Sequence, residues 1–137
     1  MAFEERFRLL IESGQASEQS VAATCSALQA VEAHYRIRLS EEVGASLATH
    51  IAVTMKRLLD GEALTQAPDA VWQELGAWPG EVALATSIVD GLATNLNRFI
   101  ARDEVGFIAL HLCRIRDASR PAAQHAGTAG TSSEASA

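Results

Sequence analysis

Apolar residues recur at steps of three and four along nearly the whole chain. No stretch alternates strictly between apolar and polar positions, so the pattern predicts an all-α protein. Phe3, Phe7, Leu10 and Ile11 fall on one face of a short leading helix, which Gly14 ends. Ser17, a good N-cap, opens a second helix with Val21, Cys25, Leu28, Val31 and Tyr35 along one stripe. Ser40 caps a third, with Glu41 and Glu42 in its first turn, where the positive end of the helix dipole favours carboxylates. Its apolar face runs Val43, Leu47, Ile51, Met55 and Leu58, and Gly61 stops it. Pro68 suits the first turn of a short helix bearing Val71, Trp72 and Leu75. Pro79 repeats that signal ahead of a helix with Val82, Ala85, Val89, Leu92 and Leu96 on one seam. Asp103 is expected to cap the last helix, which is apolar on almost every side through Phe107, Ile108, Leu110, Leu112 and Ile115. Such a helix sits centrally or has a flank covered by a partner subunit, and the second is the expectation.

Composition narrows the function classes. At 137 residues the chain has the length of one domain and buries a core without disulfides or metal. A net charge of −6 and the lack of a basic stripe argue against direct nucleic-acid binding. Cys25 and Cys113 lie in helical apolar patterns without metal-ligand spacing, and so read as core thiols of a reducing compartment. The acidic start Met1-Ala2-Phe3-Glu4-Glu5-Arg6 is unlike a signal peptide, and no apolar run reaches the ~20 residues that span a bilayer. The expectation is a cytoplasmic protein that does not engage membranes. Three segments are expected: a leading helix over 1–14, a helical bundle over 15–118, and a disordered tail over 119–137 that includes His125. The tail has too few large apolar groups to offset the entropy of ordering.

Candidate chemistry centres on two histidines. His50 stands in Leu47-Ala48-Thr49-His50-Ile51-Ala52-Val53, and His111 in an apolar run that begins with Asp103 and Glu104. A half-buried imidazole must be hydrogen-bonded or used, because its nitrogens lose water. A satisfied contact between helices accounts for such a residue; so does a nucleophile, since neutral imidazole can accept a phosphoryl group at pH 7. Arg57, two turns after His50, and Arg114, one turn after His111, are placed to steady a phosphate. His34 reads as structural, beside Arg36 and Arg38 at a helix end, and Asp103 and Glu104 read as capping and dipole-complementing acids. Trp72 and Trp78 read as local core or subunit contacts. No histidine pair has metal-ligand spacing, so neither a metal nor a cofactor is expected. No nucleophile, base and oxyanion donor come together, so no enzyme is expected.

From about Ser17 to Asp117 the order of these features resembles the PTS regulation domain (PRD), a histidine-phosphorylated helical module of antiterminators and activators of sugar operons. Leu47-Ala48-Thr49-His50-Ile51 with Lys56-Arg57-Leu58-Leu59-Asp60-Gly61 looks like its first histidine helix. Asp103-Glu104-Val105-Gly106-Phe107-Ile108-Ala109-Leu110-His111 looks like its second and more specific motif. The resemblance implies a five-helix bundle, here with an extra short N-terminal helix, that pairs as a homodimer with its histidines near the subunit interface. It also implies that His50 and His111 are phosphorylated by phosphocarrier proteins of the sugar phosphotransferase system, changing dimer packing. Thr49 is a departure, because antiterminator members commonly carry Asp there.

The preferred expectation is a stand-alone regulatory or adaptor module that acts on a regulator or enzyme partner through protein contacts. A dimeric scaffold of the same fold that has lost phosphate acceptance is the alternative. A bundle that binds a small molecule or a metal is a third possibility, from a different class.

Overall fold

Residues 2–119 are described by the computed structural model, and their backbone runs through six helices. These are α1 (Glu4–Glu12), α2 (Glu18–Tyr35), α3 (Glu41–Leu59), α4 (Asp69–Leu75), α5 (Pro79–Leu96) and α6 (Asp103–Ala118). No strand occurs among the described residues, so the all-α expectation holds. The tail expected to be disordered lies, apart from Ser119, outside them, and His125 with it.

The helix starts follow local chemistry. Ser17 and Ser20 satisfy each other's backbone amides at 3.1 and 2.9 Å, a closed capping box at the head of α2. Ser40 Oγ accepts from the Val43 amide at the head of α3, as expected. Pro79 is the first residue of α5, whereas Pro68 stands one place before α4, as its N-cap. Asp103 does not cap α6. Arg102 holds the cap position without a side-chain bond, and the Asp103 carboxylate instead accepts from the Ala67 amide at 2.8 Å. That bond ties the chain ahead of α4 to the start of α6, a long-range use of a residue that also suits a helix N-terminus.

The buried seam of α2 differs from the one expected. Ser20, Ala23, Thr24, Ala27, Leu28 and Val31 are buried, while Val21, Cys25 and Tyr35 are half-buried. Small residues let α2 approach α3 and α5 closely, and the Thr24 hydroxyl spends its polarity on the Ser20 carbonyl at 2.7 Å. A reading keyed to bulk assigns the seam to the larger residues.

The helix α6 is central. It packs on α5, α3 and α4 within the chain, and Val105, Ile108, Ala109, Leu112 and Ile115 are buried there. The intramolecular neighbours account for most of its apolar circumference, leaving Phe107, Leu110 and His111 half-buried. Two glycines permit close approaches. A Cβ at Gly106 would meet the Trp72 ring at 3.2 Å, and one at Gly44 would meet the Phe3 ring at 2.7 Å. Through Phe3 the leading helix α1 is seated on α3, which carries one of the candidate histidines.

Candidate functional site

The helices α3 and α6 pack against each other, and their contact brings together the two histidines that lie far apart in sequence. The ring centroids of His50 and His111 are 5.1 Å apart, with the planes inclined by 37°. Phe107, one turn before His111, holds its ring 6.0 Å from that of His50. The two imidazoles thus form one cluster.

Their surroundings differ. His50 Nε2 lies 2.9 Å from Glu104 Oε1. The His50 side chain is 24% exposed, whereas that of Glu104 is only 3% exposed, so the carboxylate is sealed beneath the ring. A carboxylate acceptor selects the tautomer with hydrogen on Nε2, which leaves the lone pair on Nδ1. His111 has no such acid. Burial first, then the neighbouring His50 and Arg114, push its pKa down to about 4, so it is a neutral imidazole at pH 7.

Each ring also reaches solvent by its own route. His50 and Thr49 line a cleft of about 500 Å³ with Gln15, Arg57, Glu104 and Phe107. His111 lines a separate cleft of about 430 Å³ with Glu42, Ser46 and Arg114. A wider cleft of about 650 Å³ beside α1, lined by Arg6, Leu9 and Leu10, contains neither histidine. Both expected arginines therefore border the clefts of their histidines. Arg57, however, is tethered: its Nε donates to Glu62 Oε1 at 3.2 Å and its Nη2 to the Ala63 carbonyl at 3.1 Å.

Three features escaped the sequence. Glu104 reads as a dipole-complementing acid but is buried and bonded to His50, 54 positions away. Arg6 Nη1 donates to Thr49 Oγ1 at 3.1 Å, and its Nε donates to Glu41 Oε1 at 2.7 Å. The added helix α1 thus places a cation on the residue next to His50. Glu81, also nearly sealed, accepts from Tyr35 Oη at 2.9 Å and from Arg116 Nη1 at 3.0 Å. Arg116 lies over the Trp78 ring at 5.3 Å, as Arg102 lies over Trp72 at 4.6 Å. The only signal for either buried acid is a carboxylate in the first turn of an otherwise apolar helix, and dipole complementation explains that equally well.

The remaining candidates lie apart from this cluster. His34 is exposed and meets the Tyr35 ring edge-on at 4.9 Å. Cys113 is buried, and burial, followed by the nearby Glu81, pushes its thiol up to about 11; burial raises Cys25 as well. Among the described residues no group of three or more His, Cys, Asp or Glu could hold a metal ion. Nor is any helix among them long and apolar enough to cross a membrane.

The family model of the PRD domain matches residues 26–115, a span that holds both histidines and Glu104. The chain belongs to the PRD domain family. Its leading helix α1 and the first part of α2 lie ahead of the matched span. Among solved structures the PRD chain is similar to one described as "Crystal structure of GlcT CAT-PRDI", with a TM-score of 0.60 and 22% sequence identity. The match covers 72% of this chain and 57% of that one, and at this identity it speaks for the fold. A comparison with curated proteins finds no match.

Proposed function

We propose that this PRD module is a regulatory protein whose His50 and His111 accept phosphoryl groups from phosphocarrier proteins of the sugar phosphotransferase system. The observation that carries this reading is the histidine cluster itself: two imidazoles 5.1 Å apart, each bordering a cleft that an arginine also lines. Exchange of a phosphoryl group between histidines is nearly balanced in energy, so a carrier can load the site without another energy source. Each phosphoryl group adds about −1.5 to −2 charges. Added at the α3–α6 contact, beside the buried Glu104 carboxylate, that charge disfavours the present packing of the two helices. The altered packing would be read out through protein contacts, in a homodimer or against a regulator or enzyme partner. The role is regulatory rather than enzymatic and requires no cofactor, membrane or nucleic acid.

Phosphotransfer from purified phosphocarrier proteins tests the proposal. Wild type is expected to take label, His50→Ala and His111→Ala to lose part of it, and the double variant to lose all of it. Label that persists in the double variant rejects these sites. The alternative, a dimeric scaffold that no longer accepts phosphate, is favoured by one observation: the Arg6 bond to Thr49 ties the added helix to the residue before His50. A dimer affinity indifferent to phosphodonors, with a partner still bound, would decide for that scaffold.

A further inference from the structure

We infer that His50 takes up its phosphoryl group on Nδ1 and not on Nε2, and that Glu104 is the positioning residue that makes this choice. The inference rests on the proposed phosphate acceptance and adds which atom reacts and why. Nε2 is occupied by a hydrogen bond of 2.9 Å to a carboxylate whose side chain is 3% exposed. Nδ1 makes no hydrogen bond to any described residue, and the ring borders an open cleft. A phosphoryl group on Nε2 would have to displace the acid and bring two anions face to face out of water, an arrangement that low dielectric makes costly.

The chemistry balances without an added acid or base. The Nδ1 lone pair attacks phosphorus in line, the phosphorus–nitrogen bond of the donor phosphohistidine breaks, and its electron pair returns to the donor ring. As the new bond forms, the His50 ring becomes imidazolium-like, with Nε2 keeping its proton. Glu104 is already hydrogen-bonded to that proton, so the positive charge develops against a carboxylate that needs no reorganisation. His111, 5.1 Å away and held neutral, adds no competing cation.

Nitrogen-15 spectra of the full chain test this at the atom concerned. Before phosphorylation, His50 Nε2 is expected to carry the proton and Nδ1 to resonate as an unprotonated ring nitrogen; the opposite tautomer overturns the proposal. Phosphoramidate, a small donor, is then compared with a phosphocarrier protein. Label on Nδ1 is expected to exceed label on Nε2 by about tenfold or more, the discrimination a charge-assisted hydrogen bond supplies. Predominant Nε2-phosphohistidine overturns the inference while leaving phosphate acceptance intact. Label on Nδ1 from phosphoramidate alone keeps the inference and removes the carrier reading; no label at His50 from either donor sinks both. In Glu104→Ala the label is expected to spread to Nε2, while Glu104→Asp restores the preference in part. Unchanged Nδ1 selectivity in a folded Glu104→Ala chain would show that Glu104 does not make the choice.

Discussion

Two buried acids divide the molecule into an arginine corner and a histidine corner. Glu81 and Glu104 both stand in the first turn of a helix, and their side chains are 4% and 3% exposed. Glu81 is met by the guanidinium of Arg116 and the hydroxyl of Tyr35, groups that stay as donors at physiological pH. Burial, then the hydrogen bond to Glu81, raises the Tyr35 pKa further still. Glu104 is met by an imidazole, whose second nitrogen is left over, beside another imidazole that remains neutral. The same device, an acid sealed under a cross-helix donor, therefore fastens α2, α5 and α6 in one place and holds an imidazole in the other. The identity of the donor decides which.

Removing the locking acid is expected to have the largest effect on stability. Glu81→Ala leaves the Tyr35 hydroxyl without its partner and opens a cavity, for a cost of about 3 kcal/mol in urea unfolding. Arg116 is 49% exposed, so water takes over its charge and holds the loss near the low end for a buried pair. A cost below that of Glu104→Ala would break the comparison.

Acid should come next, and it acts on the histidine corner. His111 has a folded pKa of about 4, below that of an unfolded histidine, so folding favours its neutral form. That contribution is fully present above pH ~6.5 and is lost as pH falls through about 4. The loss is on the order of 2 kcal/mol after allowance for the ring being half-buried. Unfolding midpoints measured between these pH values should fall for wild type and stay flatter for His111→Gln. Equal slopes would show that His111 is not held neutral.

Glu104→Ala should cost less, about 1.5 kcal/mol, because the His50 ring it leaves behind is partly solvated and water can take over the lost hydrogen bond. Tyr35→Phe should cost least, about 1 kcal/mol, since Glu81 keeps its arginine. Both are read from the same urea curves. Together they measure how much more rigid the arginine corner is than the histidine one.

Much of the fold was legible in advance, for reasons visible in single residues. Ser17, Ser40 and Pro79 act through their nearest neighbours on the chain, and each stands at the helix start its chemistry predicts. The α2 seam differs from the expected one because small residues such as Ala23 and Ala27 give a weak apolar signal although they are buried. Both histidines stand out in the sequence because each interrupts an apolar run. Arg6 does not, because it comes from a helix ahead of the matched family span and meets Thr49 across 43 positions.

By itself the sequence determined the helices, the caps at Ser17 and Ser40 and the two motifs, because these depend on steps of three and four and on groups within one turn. Only the tertiary structure decided what each polar group faces. It turned Glu104 from a dipole acid into the holder of His50, took Asp103 from a cap to the Ala67 amide, and set the two imidazoles 5.1 Å apart. Periodicity tells a helix which side to bury, but not which neighbour will lie there. A carboxylate in a first turn serves its own helix or another equally well until the packing chooses.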